Sequence, residues 1–268
     1  MSAASSRLAR IDGADVHYLL EGPESAPVIM LAHGLLANLD MWHAVASRLS
    51  KDWRVLRYDL RGHGRTMATP PPYSLAILAD DCLKLLDYLR LPRVHFIGSS
   101  LGGMIGQYLG AHAGERFLSL TLANTTAKQS AAAVWQQRID TALGPAGVAP
   151  LVEPTLQRWF TAEFLGRCSA VGDAMRKISG ATPPLGFAGC AAAVRDLDQL
   201  RILSHIRVPT LVIAGAHDMA TPLAEAVQLQ THIPNARLVT LAAAHQSAVE
   251  LPDSFTDHWR GFITSLNA

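Results

Sequence analysis

Short apolar runs recur along the chain and alternate with polar turns and with longer segments of helical periodicity. Several of these runs are apolar on both faces, which is typical of strands in a buried parallel sheet. The runs that predict strands are residues 28–32, 55–58, 94–97, 118–122, 211–214 and 238–241. Near the N-terminus, Asp12-Gly13 separates two further strand-like runs and predicts a hairpin turn.

Amphipathic segments lie between these runs and predict helices. The clearest covers residues 74–91, where Ser74 can cap the start and Cys82 lies on the apolar stripe. Strands that alternate with helices in this way indicate the α/β class, with a mostly parallel, twisted sheet flanked by helices.

The alternation breaks between residues 126 and 200. This stretch has no convincing strand, carries several large aromatic residues and is punctuated by proline, so it predicts a helical insertion. We therefore expect a core domain formed by residues 1–125 and 201–268, and a helical cap formed by residues 126–200. An insertion at this point would lie over the carboxyl ends of the parallel strands, where open α/β sheets bind ligands.

Composition narrows the class of partner. Hydrophobic residues make up 49% of the 268 residues, and the formal net charge is +1. Neither a basic stripe nor a transmembrane or signal-like apolar stretch is present, which argues against a nucleic acid or membrane partner. The three cysteines and eleven histidines show no metal-ligand spacing. We expect a cytoplasmic protein with reduced thiols that acts on a small molecule without metal or cofactor; the sequence leaves its oligomeric state open.

A serine lies between a predicted strand and a predicted helix. The run 94–97 leads directly into Gly98-Ser99-Ser100-Leu101-Gly102, a Gly-x-Ser-x-Gly motif in the strand–turn–helix context that a nucleophile requires. Ser99 cannot be the central serine, because position 97 is isoleucine. We therefore predict that Ser100 is a nucleophile held above the sheet on a strained turn.

A serine nucleophile needs a base and a group that orients the base. Asp218 follows the run 211–214, and His245 follows the run 238–241, so both can meet Ser100 at the carboxyl edge of the sheet. Asp218 could instead be a turn residue, and His245 a surface histidine. The chain order serine, acid, histidine favours the catalytic interpretation.

Two backbone amides are candidates for stabilising an oxyanion. Leu101 directly follows the nucleophile, and Leu35 follows His33-Gly34 at the end of the run 28–32. The Gly-rich loop at residues 59–65 lacks the Lys-Ser/Thr ending of a phosphate-binding loop, so we assign Asp59 and Arg61 a structural role.

These residues resemble the α/β-hydrolase superfamily, and more narrowly the 3-oxoadipate enol-lactonases. The resemblance spans nearly the whole chain and includes part of the insertion. The similar passages are His33-Gly34 with Met41-Trp42, residues 59–65, Tyr73-Ser74 with residues 79–81, residues 101–107, residues 192–196, residues 213–222 and residues 243–250. The segment Gln246-Ser247-Ala248-Val249-Glu250 departs from the Ser-Asn-Val-Glu pattern of that family.

The resemblance implies an α/β-hydrolase fold and a serine hydrolase that opens a carboxylate-bearing enol-lactone in aromatic catabolism. A cation should hold the substrate carboxylate, and we name Arg138 as a pocket residue among the cations of the insertion. Those cations are Arg138, Arg158, Arg167, Arg176, Lys177 and Arg195. Trp135 could line the pocket, but an aromatic residue in the core of the cap is the interpretation that its residue type favours. The alternative functions are a carboxylesterase, a lactonase for another ring, or a small-molecule receptor on the same fold.

Overall fold

The computed structural model describes residues 6–266, and within this range eight strands form one sheet in the order β1-β2-β4-β3-β5-β6-β7-β8. Strand β2 runs antiparallel to both of its neighbours, and the other neighbouring pairs are parallel. The strands are Arg7–Ile11 (β1), Ala14–Glu21 (β2), Val28–Ala32 (β3), Arg54–Tyr58 (β4), Val94–Ser99 (β5), Phe117–Ala123 (β6), Thr210–Gly215 (β7) and Arg237–Leu241 (β8).

Helices connect the strands and flank the sheet. They are His43–Leu49 (α1), Leu75–Tyr88 (α2), Leu101–His112 (α3), Ala132–Leu143 (α4), Ala149–Trp159 (α5), Ala162–Arg167 (α6), Ser169–Gly180 (α7), Pro184–Arg195 (α8), Leu223–His232 (α9), Ser247–Glu250 (α10) and Pro252–Leu266 (α11). Short 3₁₀ segments occur at Leu39–Trp42, Gly114–Arg116 and Leu200–His205. The predicted α/β class with a mostly parallel sheet is confirmed.

Local sequence chemistry accounts for two of these elements. Asp12 and Gly13 both have positive φ, at 48° and 80°, which is the geometry of a tight hairpin between β1 and β2. At the start of α2, the Ser74 side chain accepts a hydrogen bond from the Ile77 amide over 3.3 Å. Cys82 lies on the buried face of that helix, as the apolar stripe predicts.

The strand order places a crevice at the carboxyl ends of β3 and β5. The chain passes from β3 to β4 on one side, and then through α2 to β5 on the other side of β3. The loops that leave β3 and β5 therefore diverge from a common point, where ligands bind in open α/β sheets. Strand β5 is buried on both faces, and Phe96 packs edge-on against Phe117 beneath this point.

Five helices, α4 to α8, occupy the chain between β6 and β7. The two ends of this insertion meet in a stem: the Gln129 amide donates to the Leu197 carbonyl over 3.0 Å, and the Gln199 amide donates to the Ala127 carbonyl over 2.8 Å. An ion pair between Lys128 and Asp198 (2.8 Å) closes the same stem. The division into a core and a cap of residues 126–200 stays a prediction, and residues 1–5 and 267–268 of that core lie outside the described range.

Within residues 6–266, the model contains no helix that is both long and apolar enough to cross a membrane. The three cysteines are free thiols.

Candidate active site

The turn after β5 is tight and strained at Ser100. This residue has φ 53° and ψ −114°, a left-handed backbone conformation that costs a non-glycine residue roughly 1–3 kcal/mol. A Cβ on Gly98 would lie 2.2 Å from the Gly102 carbonyl oxygen, and one on Gly102 would lie 2.2 Å from the Ala32 carbonyl oxygen. The two glycines are therefore required for the strand to pass into α3 at this angle, and Ser99 is buried beneath the turn.

The structure brings Ser100, His245 and Asp218 together. The His245 Nε2 atom lies 3.0 Å from the Ser100 Oγ atom, and its Nδ1 atom lies 2.9 Å from the Asp218 Oδ2 atom. Each residue follows the carboxyl end of a parallel strand, β5, β8 and β7 respectively. A hydroxyl, an imidazole and a carboxylate in this chain of hydrogen bonds can deprotonate the serine and stabilise the imidazolium that forms.

The Asp218 carboxylate is held by its own loop and by the neighbouring strand. Its Oδ1 atom accepts the Ala220 and Thr221 amides over 2.8 and 2.9 Å, and its Oδ2 atom accepts the Thr221 hydroxyl (2.7 Å) and the Asn124 amide group (3.1 Å). Burial alone would raise the pKa of Asp218, but His245 and the Thr221 donors outweigh it and lower that pKa to about 2. The carboxylate is therefore charged and fixed in orientation.

Asn124 and Thr221 are site residues that the sequence reasoning missed. Asn124 follows β6 with φ 46°, and its amide group bridges Asp218 to the Ala244 carbonyl (3.2 Å). The Ser247 hydroxyl donates to the Asn124 Oδ1 atom. The only available signal was that Asn124 ends an apolar run, because a side chain that orients another side chain needs no motif of its own.

The loop after β3 runs directly against Ser100. A Cβ on Gly34 would lie 3.1 Å from the Ser100 Cβ atom, so only glycine allows this approach without a shift. Leu35 from this loop and Leu101 from the first turn of α3 line the same pocket as Ser100. Amides in the first turn of a helix have no intrahelical acceptor, so the Leu101 N–H can serve a substrate.

Two buried histidines support this loop from below. The His63 Nε2 atom accepts the Leu36 amide over 3.2 Å, and the His33 Nε2 atom accepts the Leu60 amide over 2.9 Å. Burial lowers the pKa of both histidines, to about 3 for His63. Both imidazoles are therefore neutral hydrogen-bond acceptors at physiological pH. The bond from the Leu36 amide to His63 holds the loop at a residue whose φ is positive, at 61°.

The charged loop after β4 is structural, as its sequence indicated. Asp59 accepts hydrogen bonds from the Leu39 amide (2.8 Å), the Arg65 amide (2.9 Å) and the His17 ring (2.7 Å). Arg61 forms a bidentate ion pair with Asp81 of α2. This network ties the loop to β2, α2 and the segment that follows β3.

Helices α4, α5 and α8 contribute the opposite wall of the pocket, while the core contributes the wall around Ser100. Trp135 lines the pocket and also packs against the hydrophobic core, so both places foreseen for it apply. The lining residues are Leu35, Leu36, Ser100, Leu101, Met104, Thr126, Gln129, Trp135, Arg138, Thr155, Arg158, Trp159, Val194, Ala220, Thr221 and His245.

Two arginines of the insertion face this pocket, and the described chain gives neither of them a carboxylate partner. The Arg138 guanidinium lies 4.5 Å from the centre of the Trp135 ring and donates to the Thr155 hydroxyl over 3.1 Å. Burial lowers the pKa of Arg138 to about 10, with a further contribution from the positive charge of Arg158. This wall therefore presents uncompensated positive charge to a ligand.

Three further arginines of the insertion, unlike Arg138 and Arg158, pair with acidic side chains on its surface. Arg167 pairs with Glu163 (3.7 Å), Arg176 with Glu153 (2.9 Å) and Asp173, and Arg195 with Asp196 (2.7 Å). Within residues 6–266, no group of three histidine, cysteine, aspartate or glutamate side chains could hold a metal ion.

Known proteins share this architecture. The model of the alpha/beta hydrolase fold family matches residues 27–250. The 3-oxoadipate enol-lactonase 2 of Acinetobacter baylyi is 34% identical over 240 residues, which cover 90% of each chain. The solved structure of a hydrolase from Pseudomonas aeruginosa is 41% identical, with a TM-score of 0.94 over 98% of this chain and 99% of that one. The solved enol-lactonase of Burkholderia xenovorans is 36% identical, with a TM-score of 0.94 over 96% of this chain and 100% of that one. A match across most of the chain, in both sequence and backbone, places this protein in the alpha/beta hydrolase fold family.

Proposed function

We propose that this protein is a serine hydrolase that opens a small, carboxylate-bearing enol-lactone through an acyl-enzyme. Its family and its relatives make it a hydrolase of ester or lactone bonds. The observation that carries the finer proposal is the pocket itself, in which Ser100 and His245 lie 3.0 Å apart opposite the unpaired cations Arg138 and Arg158. The two walls of the pocket supply a nucleophile and a carboxylate anchor.

Acylation begins at the lactone carbonyl. Ser100 Oγ attacks the carbonyl carbon while His245 Nε2 takes the hydroxyl proton, and Asp218 stabilises the resulting imidazolium at Nδ1. The carbonyl oxygen becomes negative, and the Leu35 and Leu101 amides donate to it. Loss of one such donor typically costs about 2.7–4 kcal/mol of transition-state stabilisation.

The ring opens when the tetrahedral intermediate collapses. The bond to the ring oxygen breaks, and the leaving group is an enolate, which delocalisation stabilises and which becomes a ketone once protonated. The opened chain stays attached to Ser100 as an ester. His245 then activates a water molecule that releases the acyl group as a carboxylate, and the product is an oxo dicarboxylate.

The positive wall of the pocket accounts for the substrate class. An enol-lactone of this kind carries a free carboxylate, and Arg138 and Arg158 have no acidic partner in the described chain. A carboxylate that binds there compensates their charge and fixes the ring against Ser100. Trp135 lies beneath the Arg138 guanidinium and holds it toward the pocket. We assign the reaction to aromatic catabolism in the cytoplasm.

The competing functions use the same serine, histidine and aspartate. A general carboxylesterase or a lactonase for another ring differs in what the cap wall recognises, and a receptor on this fold differs in retaining its ligand. The unpaired arginines favour an anionic substrate over the neutral esters of a general esterase.

The decisive experiment compares matched substrates on the purified protein. We expect kcat/KM for the carboxylate-bearing enol-lactone to exceed that for its methyl ester and for p-nitrophenyl acetate by about tenfold or more, since a charge-assisted hydrogen bond contributes about 1.5–3 kcal/mol. Equal or reversed preference identifies a general esterase. Turnover that stops after one equivalent, with the product retained, identifies a receptor.

A further inference from the structure

A buried carboxylate links the insertion to the loop that carries His245. Glu250 is 7% exposed, and its Oε1 atom accepts both the amide (2.7 Å) and the hydroxyl (2.8 Å) of Thr161. Its Oε2 atom accepts the amide of Ala244. In the described chain no lysine, arginine or histidine pairs with this carboxylate, so its charge is satisfied by these donors alone.

The core end of this link is Ala244, the residue directly before His245. Glu250 holds the Ala244 N–H, and the Asn124 amide group holds the Ala244 carbonyl over 3.2 Å. Side chains thus hold both backbone polar groups of Ala244, in the two peptide units that flank its Cα atom. Because His245 follows it, the direction of the imidazole depends on these two bonds.

The other end of the link lies in the wall of the pocket. Thr161 caps α6 by accepting the Phe164 amide over 3.2 Å, and it lies two residues after Trp159, which lines the pocket. The Trp159 carbonyl accepts the Gln246 amide over 2.9 Å. The α5–α6 junction is therefore bonded on both sides of His245: to Ala244 through Glu250, and to Gln246 directly.

We infer that Glu250 is a positioning residue. Through it, the alignment of the His245 imidazole with Ser100 depends on the position of the α5–α6 junction. Arg158 lies on α5 next to this junction, so a ligand anchored there acts on the same segment that holds the catalytic loop. Recognition in the insertion and proton transfer in the core are thereby coupled. This inference rests on the proposed role of His245 as the base for Ser100.

Glu250→Gln tests the link with a minimal change of shape. An amide can accept on one side only, so its NH₂ group must face either the Ala244 N–H or the Thr161 N–H, and one end of the link is broken. Thr161→Val removes the hydroxyl end of the link together with the side-chain cap of α6, and Thr161→Ser restores both. Glu163→Gln removes an exposed carboxylate two residues along the same segment and is the matched control.

The readout is kcat per titrated active site together with the rate at which a fluorophosphonate labels Ser100. The probe joins phosphorus to Oγ and releases fluoride, so its rate reports on the base without depending on the natural substrate. Counting labelled sites removes unfolded molecules from the comparison.

We expect Glu250→Gln to lower both rates by about tenfold or more with KM changed less than about threefold, because small displacements of a catalytic group cost large factors in rate. Thr161→Val gives a smaller loss, and Thr161→Ser and Glu163→Gln stay near wild type. In the double variant, Thr161→Val adds nothing to Glu250→Gln, since both break one link.

Wild-type labelling and turnover rates in Glu250→Gln would overturn the inference, as would fully additive losses in the double variant. A different result marks failure of the proposed function: if the wild-type protein is not labelled at all, or if Ser100→Ala is labelled equally well, Ser100 is not the nucleophile.

Discussion

The two walls of the pocket differ in whether their polar and charged groups already have partners within the protein. The core wall consists of turns at strand ends, where the polar atoms that orient the reacting groups have partners: Asp218 accepts its donors from Thr221, Ala220 and Asn124 as well as from His245. The wall from the insertion consists of helices, and its charged groups Arg138 and Arg158 lack a carboxylate partner in the described chain.

This contrast separates chemistry from recognition. Catalytic groups must be held in one geometry before the substrate arrives, so their hydrogen-bonding capacity is used internally. Groups that bind a charged substrate must keep capacity unused, so the substrate supplies the missing partner. The fully paired carboxylate and the two unpaired guanidinium groups of this pocket fit the proposed division, in which the core wall reacts and the insertion selects the substrate.

The largest expected effect on the core wall comes from removing the hydroxyl of Ser100, its proposed nucleophile. We expect Ser100→Ala to lower kcat by a factor of about 10⁴ or more, with an unchanged thermal unfolding midpoint, because in the described chain the Ser100 hydroxyl hydrogen-bonds to His245 alone. Steady-state hydrolysis and calorimetry check this. Ser99→Ala is the matched control, since Ser99 is buried below the turn and should keep its activity.

The core and the insertion should also differ in how acid affects their contribution to folding stability. Burial lowers the pKa of His33, of His63 to about 3 and of His95 to about 4, all in the core, while residues 126–200 contain no histidine. A histidine whose folded pKa lies below its unfolded value leaves stability constant above about pH 6.5 and lowers it as the pH falls toward the folded pKa. Each contributes up to about 1.4 kcal/mol per pH unit in that window.

Urea denaturation at pH 7, 6 and 5 measures this loss. We expect the free energy of unfolding to fall between about pH 6.5 and 5, above the window below about pH 4 in which Asp218, with its pKa lowered to about 2, loses its contribution. His95→Asn should flatten the dependence, and the exposed His232→Gln should leave it unchanged. A profile that is flat down to pH 5 would contradict neutral buried histidines.

Removing the positive charges of Arg138 and Arg158 tests the wall that the insertion contributes. We expect Arg138→Gln and Arg158→Gln each to lower kcat/KM for the carboxylate-bearing lactone by about ten- to a hundredfold, the value of one charge-assisted hydrogen bond. Hydrolysis of the methyl ester should change little. Arg176→Gln is the control, because Arg176 already pairs with Glu153 and Asp173. Equal losses on both substrates would assign these arginines a purely structural role.

The sequence predicted the core wall far better than the wall from the insertion. The apolar runs located the strands to within one or two residues, and strand ends meet at one edge, so Ser100, Asp218 and His245 could be placed together before any coordinates. That logic depends on strands that are buried on both faces, which appear as continuous apolar runs, and on the common edge at which their carboxyl ends meet.

The same reasoning named Arg138 as a pocket residue but could not identify Arg158 or the rest of the charged wall. Arg138, Arg158 and Arg176 all lie on amphipathic helices of one insertion, and only the packing of those helices decides which of them reaches the pocket. Trp135 was ambiguous for the same reason. Asn124 was missed because its role depends on a contact with Asp218, 94 positions away in the chain.

The smallest expected effect concerns the side chain of Gln246, a buried polar group that belongs to neither wall of the pocket. Gln246 is 1% exposed, and both its amide nitrogen and its amide oxygen lack a hydrogen-bond partner in the described chain. Because an unsatisfied buried polar group costs about 1–3 kcal/mol, we expect Gln246→Leu to raise the free energy of unfolding by about 1 kcal/mol. Gln199→Leu is the contrasting variant and should destabilise, since the Gln199 amide nitrogen donates to the Met104 carbonyl and to Gln107. A loss of stability in Gln246→Leu would refute this.

The stem between Lys128 and Asp198 has a consequence for how this scaffold can change. Since the incoming and outgoing segments are bonded side by side there, everything beyond the stem can be exchanged while β6 and β7 keep their spacing. A graft at the stem is therefore a natural junction for chimeric enzymes with new substrate ranges. Such a graft would have to preserve a hydroxyl at the position of Thr161. Without it, the transplanted helices would cover the pocket but would lack the proposed link through Glu250 to the loop of His245.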